Sequence, residues 1–154
     1  MSAYSIRQAT LGDAEALAGH RVDMFIDMGV PIDAEALRST SRTWLDAAMA
    51  AGTYHAWVVE TETREIGGGG GLIVIPWPPG PGALSDRRAF IYNVYTEPPH
   101  RKRGLARLTM DTIHAWCAAK GIDVIALNAS PAARHLYESM GYMAPPSPMM
   151  VRIG

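Results

Sequence analysis

The hydrophobic positions of the chain follow two periods, and the switches between them divide it into elements. Ala3 to Gln8 reads as a short first strand. Tyr54 to Glu60 alternates apolar and polar residues, and Ile66 to Ile75 returns as a third apolar segment. Ala89 to Thr96 is dense in β-branched and aromatic residues, the composition of a buried strand. Asp123 to Leu127 makes a fifth strand, and Met149 to Ile153 a short last one. Between them lie runs spaced by three and four. Ala14, Leu17, Ala18, Val22, Phe25 and Met28 stripe a helix from about Leu11 to Asp27, with Thr10 as N-cap and Gly29 as stop. Asp33 caps a second helix, with Leu37, Trp44, Leu45 and Ala48 inward and Gly52 at its end. Leu105, Leu108, Thr112, Ile113 and Trp116 share one face of a third helix that Gly121 stops. Ser130 caps a fourth, with Pro131 at its first position, Ala133, Leu136, Tyr137 and Met140 on one side, and Gly141 at its end.

The order places a strand, the breaker Glu97-Pro98-Pro99-His100, the turn Arg101-Lys102-Arg103-Gly104-Leu105-Ala106 and a helix in succession. The first turn of a helix carries N–H groups without intrahelical partners, and the macrodipole makes that end positive. A phosphate or pyrophosphate is at home there. Gly104 lets a ligand approach the backbone with no Cβ in the way. The bland alternative is a solvated basic turn opening an ordinary amphipathic helix. Five consecutive glycines, Gly67 to Gly71, open the third apolar segment. No Gly-Lys-Ser/Thr and no helix follow them, so they read as a strand beside a ligand or another backbone, not as a phosphate loop. Residues 76–82, PWPPGPG, form a surface loop between two strands. Trp77 in that loop either meets a substrate or partner or covers the protein's own core.

Arg101-x-x-Gly104-x-Ala106 resembles the Gln/Arg-x-x-Gly-x-Gly/Ala signature of the GCN5-related N-acetyltransferases (GNAT). Leu127-Asn128-Ala129-Ser130 followed by Leu136-Tyr137-Glu138-Ser139-Met140-Gly141-Tyr142 resembles that family's closing strand and helix. Two signatures in order are more specific than one. The resemblance implies an α/β fold of the GNAT acyl-CoA N-acyltransferase type: a central mixed sheet of about six to seven strands with four helices. Residues 1–154 would form one such domain. It also implies acetyl-CoA as cosubstrate. Backbone amides of the turn from Arg101, Lys102 and Arg103 through Gly104, Leu105 and Ala106 would hold its pyrophosphate. The pantetheine arm would lie between the central strand and the fifth, against Val94, Tyr95 and Thr96, with the Val94 N–H aimed at the thioester carbonyl. Asn128 and Ser130 would meet the pantetheine amides, although many members carry Asn where Ser130 stands. Tyr137 occupies the place of the general acid that protonates the departing thiolate. The other reading of Tyr137 is a packed tyrosine with its hydroxyl bonded to backbone. Arg107 and Arg134 read better as solvated surface than as 3′-phosphate ligands. Dimers are common in the family, so a homodimer is compatible with the resemblance.

No carboxylate lies in the central strand before Glu97, and Glu60 and His55 are the candidate bases; none is assigned. A net charge of −1 gives no general drive toward nucleic acid or an anionic membrane. No apolar run approaches the length of a membrane span, of about 20 residues, and residues 1–13 lack a signal-peptide core, so neither membrane nor export is expected. The single cysteine, Cys117, reads as a buried structural thiol and fits a reducing cytoplasm. The histidines and carboxylates show no metal-ligand spacing, so no metal is expected. The leading expectation is acetyl transfer to a primary amine of a small molecule or peptide by direct attack. A non-catalytic acyl-CoA-binding or regulatory module of the same fold is the alternative. A nucleic-acid domain built on His100 to Arg103 is opposed by the near-zero charge and the lack of interleaved aromatics.

Overall fold

A computed structural model describes residues 3–154. Met1 and Ser2, which open the stretch expected to carry no leader, lie outside the described residues. The strands are β1 Tyr4–Gln8, β2 Tyr54–Thr61, β3 Ile66–Pro76, β4 Arg87–Thr96 and β5 Ile125–Leu127. The helices are α1 Ala14–Asp27, α2 Ala34–Ala50, α3 Leu105–Ala119 and α4 Arg134–Ser139. The sheet order is β1-β2-β3-β4-β5. The first four strands pair antiparallel, and β5 joins β4 in parallel across the α3 crossover, so the sheet is mixed.

Each face of the sheet has its own core. On one face α1 and α2 cover β2 through Leu17, Ala18, Leu45, Ala56 and Val58. On the other, α3 and α4 cover β3 and β4 through Leu72, Ile91, Met110, Ile113, Cys117 and Tyr137. Leu17, Leu72 and Ile113 are fully buried. Burial of one such side chain is worth about 1.5–3 kcal/mol, so these two layers fix the helices to the sheet. Cys117 is buried, and burial pushes its thiol up. No described helix is long and apolar enough to cross a membrane.

Several boundaries differ from the sequence reading. The first helix opens as a 3-10 turn over Leu11–Asp13, because the Asp13 carboxylate reaches back to accept from the Thr10 N–H at 2.7 Å and is itself clamped by Arg7 at 2.8 Å. Asp33 does cap α2, its carboxylate accepting from the Ala36 N–H at 3.0 Å. The fourth helix starts at Arg134, three residues later than expected. Ser130 instead closes the preceding turn, accepting from the Ala133 N–H through both its carbonyl, 3.1 Å, and its hydroxyl, 3.3 Å. The expected final strand, Met149 to Ile153, is absent. Pro145, Pro146 and Pro148 remove donors just upstream, and Met149 to Ile153 stay exposed without ladder partners. The sheet therefore has five strands among the described residues, not six to seven. Trp77 neither fills the core nor stands free: it is 40% exposed, with the Arg88 guanidinium stacked 3.7 Å from its ring centre.

The glycine run lies inside β3, in the middle of the sheet. A Cβ at Gly68 would stand 2.7 Å from the Tyr95 carbonyl oxygen, and one at Gly69 would run into the Trp57 carbonyl oxygen. A Cβ at Gly70 would press on Thr109 and Val94 at 3.0 Å. This half of the strand lacks side chains because its neighbours occupy their space. Gly69→Ala is therefore expected to cost about 2 kcal/mol or more through overpacking. Gly12→Ala, whose Cβ would meet its nearest atom at an ordinary 3.6 Å, is expected to stay within about 0.5 kcal/mol. Denaturant melts of the two variants check this; equal stability would show that β3 yields freely.

Candidate active site

The site begins with a bulge in β4. Tyr95 opposes Gly69 and Tyr92 opposes Gly71, so Asn93 and Val94 together face the single residue Gly70. Asn93 takes up the extra length in a left-handed conformation, φ 61°, which asparagine tolerates better than other non-glycine residues. One extra residue inverts the alternation of the strand beyond it. Upstream, the Ala89 N–H donates to Val124 on the β5 side, at 3.0 Å. Downstream, the Glu97 N–H donates to Gly67 on the β3 side, at 2.8 Å. Ala89 and Glu97 are an even number of residues apart, and in a regular strand both would point the same way. The inversion turns the backbone groups of Val94 and Thr96 toward the β5 side.

There β5 no longer accompanies β4. The two strands pair only at Ala89–Ile125, Phe90–Ala126 and Ile91–Leu127. Beyond Leu127 a wedge opens, lined on the β4 side by main-chain groups that no strand pairs. At its end the chain passes through a 3-10 turn, Pro98–His100, and then through two left-handed residues, Lys102 at φ 61° and Gly104 at φ 80°. Gly104 is the N-cap of α3, and a Cβ there would meet nothing within 4 Å. Leu105 is buried and anchors the helix, while Ala106 is half-buried. The first N–H groups of this fifteen-residue helix face outward beside the exposed Lys102 and Arg103.

Arg101 does something different. Its guanidinium donates to the Thr96 carbonyl at 2.9 Å and to the Tyr95 hydroxyl at 3.2 Å, and it pairs with Asp27 at the end of α1. The Asp27 carboxylate raises the Arg101 pKa. The arginine staples the turn to β4 and α1, so its side chain is not free at the wedge. Asn128 is exposed just past β5, and Ser130 is half-buried in the turn before α4. Tyr137 is 7% exposed, set edge-on to Tyr142 at 5.8 Å, and burial pushes its phenol up. Among the described residues its hydroxyl has no hydrogen-bond partner. Of the candidate bases, Glu60 is tied into an ion pair, while the His55 side chain makes only a ring contact among the described residues. Glu60 is buried against Arg7 at 3.1 Å, and His55 lies against the Trp116 ring at 4.7 Å, its pKa lowered by burial.

Two constellations beside the bulge were not anticipated from sequence. The Arg21 guanidinium of α1 donates to the Asn93 Oδ1 at 2.8 Å, above the buried Tyr54. His20, 2% exposed, meets Glu97 at 3.0 Å through Nε2 and lies 5.2 Å from the Tyr95 ring. The only sequence signal for the first was an asparagine inside a β-branched and aromatic run.

A mixed sheet whose neighbouring parallel strands part beside a helix N-terminus defines an α/β protein with a crevice suited to an extended, phosphate-bearing ligand. The chain belongs to the acetyltransferase (GNAT) family, whose model matches residues 23–142. A GCN5-related N-acetyltransferase from Ralstonia eutropha superposes with a TM-score of 0.87 at 36% identity, covering 97% of this chain and 98% of that one. An acetyltransferase structure from Clostridium acetobutylicum with acetyl-CoA gives 0.86 at 24% identity, over 97% and 96% of the two chains. A ribosomal-protein-alanine N-acetyltransferase from Brucella melitensis shares the fold at 19% identity, TM-score 0.73, over 99% and 100%. No characterised sequence in a curated set matches significantly. The family uses acetyl-CoA and acts on amine acceptors in general.

The bulge conformation can be tested without any ligand. A β-branched residue at φ 61° is strained. Asn93→Val is expected to lose about 1–3 kcal/mol, and Asn93→Gly clearly less, because glycine accepts that φ. Equal losses in chemical denaturation would mean that the Asn93 side-chain contacts, and not its backbone, set the cost.

Proposed function

We propose that the protein is an acetyl-CoA-dependent N-acetyltransferase, acting as one domain on a primary amine of a small molecule or peptide by direct transfer. The observation that carries this reading is the wedge: the bulge turns Val94 and Thr96 toward a gap that ends at the positive end of α3. The backbone amides from Gly104 to Ala106, with Lys102 and Arg103, fit a pyrophosphate, and the empty space over Gly104 fits its close approach. Arg101 supports that turn from behind. Val94 and Thr96 offer a main-chain edge for a pantetheine arm, with Tyr95 between them turned to β3 and so lining the arm only by position, and with Asn128 and Ser130 across from it. Acetyl-CoA bound there would supply an acetyl group activated as a thioester. The Val94 N–H is the donor assigned to the acyl carbonyl, a fixed dipole where negative charge develops. Tyr137 is assigned as proton donor to the thiolate. Burial keeps its phenol protonated above the ordinary range, and its hydroxyl has no competing partner among the described residues.

A non-catalytic acyl-CoA-binding module is the second reading. Its support is that the central strand carries no carboxylate before Glu97 and that Glu60 is committed to Arg7. Turnover separates the two, since both would bind coenzyme A.

Gly104→Glu sets an anion and a strained left-handed side chain where the pyrophosphate would sit. Calorimetry is expected to show strongly weakened acetyl-CoA binding by a folded variant; unchanged affinity would remove the cofactor-site assignment. Tyr137→Phe keeps the ring and removes the hydroxyl. General acid catalysis is typically worth about 10²–10⁴-fold, and a thiolate is a fairly good leaving group, so a loss at the low end or below is expected in kcat, with cofactor affinity and melting temperature little changed. A hydroxyl with a structural role would instead cost roughly 1 kcal/mol of stability and leave kcat per folded molecule intact. Steady-state kinetics and a melting curve on one preparation decide between them.

A further inference from the structure

We infer that Arg21 is a receptor for an oxyanion on the acceptor, so that the amine substrate carries a carboxylate or phosphate near its amino group. This rests on the acetyltransferase reading and adds the substrate class. Nine ion pairs occur among the described residues, and Arg21 is in none of them. It is half-buried, with a single hydrogen bond, Nη1 to the Asn93 Oδ1 at 2.8 Å. Its carbon lies 5.0 Å from the centre of the Phe25 ring. A guanidinium has five N–H donors in a planar fork, and Asn93 accepts from only one. Three other arginines that could take this role are occupied. Arg101 is paired with Asp27, and Arg38 and Arg42 with Glu15.

The placement gives the free donors a use. Asn93 is the bulge residue, adjacent to Val94, whose backbone turns into the wedge. Arg21 approaches the bulge from the α1 face, while α3 and the phosphate turn occupy the other. An acceptor that reaches the Val94 edge from the α1 side passes the guanidinium. The same face is aromatic. Tyr92 and Phe90 stack at 6.0 Å along β4, and Trp44 of α2, 45% exposed, meets Tyr54 edge-on at 5.2 Å. One unpaired guanidinium on such a wall fits an anion attached to a compact apolar or aromatic amine. An unpaired, half-desolvated cation also selects against neutral amines, which leave it without a partner. Arg88 is the other arginine on this face without a carboxylate, but it is five residues up the strand from Asn93 and stacks on Trp77. It serves as the control.

The test uses pairs of amines that differ only in the anion: phenylalanine against phenethylamine, and phosphoethanolamine against ethanolamine. Thiol release at saturating acetyl-CoA gives kcat/KM for each, and calorimetry on the coenzyme A complex gives binding without turnover. Wild-type protein is expected to favour the anionic member of at least one pair by about 10–100-fold. The pair that discriminates tells carboxylate from phosphate. Arg21→Gln, which keeps a donor for Asn93, is expected to bring that ratio close to one. Arg21→Lys should fall between, and Arg88→Gln should keep the wild-type ratio. Coenzyme A affinity, measured on every variant, separates the two ideas. Failure of the wild type to bind coenzyme A overturns the acetyltransferase reading. Coenzyme A binding without discrimination in either pair, by turnover or by calorimetry, overturns the role of Arg21 alone. So does an Arg21→Gln variant that keeps the wild-type ratio.

Discussion

The extra residue at Asn93 is the constraint on which the rest of the site depends. A regular β4 would keep Val94 and Thr96 facing β3, and its edge toward β5 would end in a different set of backbone groups. The bulge exchanges them. It also sends the Asn93 side chain to the α1 face, where Arg21 meets it, while Val94 packs toward α3. The gap arises because β5 is three residues long and stops at Leu127, while β4 runs on to Thr96. Arg101 then ties the far end of β4 to the end of α1, so the strand is held on both sides of the irregularity. The opening in this sheet depends on where a strand departs from its ideal form, and the departure is held by packing on both faces.

Most of the architecture was legible in the sequence because its signals are local. The cap at Asp33, the stops at Gly29, Gly52 and Gly121, and the change of period around each strand are short-range effects. The family and its fold were legible because two turn-forming signatures stand in order. Ends set by distant contacts were harder to read. Thr10 does stand at the N-cap, but the first turn it opens is tightened to 3-10 because Arg7, which also binds Glu60, holds the Asp13 carboxylate beside the Thr10 N–H. Met149 to Ile153 has strand propensity, yet a strand needs an aligned partner edge, and the prolines upstream deny it one.

The site was legible as backbone and obscure as side chain. Gly104 at the helix start follows from strand, turn and helix in succession, and the gap between the two strands was expected through the family resemblance. The pairing of Arg21 with Asn93 joins residues 72 positions apart, and so does not appear in any local pattern. Arg101 shows the reverse case. It is part of a local signature, but its contacts belong to Asp27, 74 positions away.

The glycines of β3 have a consequence for the unfolded chain. Each glycine fixed in a strand gives up more backbone freedom than alanine would, by about 0.5–1 kcal/mol, so five in a row set roughly 2.5–5 kcal/mol against folding. The usual remedy, replacement by alanine to stiffen the unfolded state, is closed from Gly67 to Gly71, because backbone or side-chain atoms of β2, β4, α3 and His100 already stand where each new methyl would go. The glycine half of the central strand is thus its entropic weak point by construction, and it is held in place by its neighbours and by Leu72, Ile73 and Val74 further along the same strand, which do enter the two apolar layers.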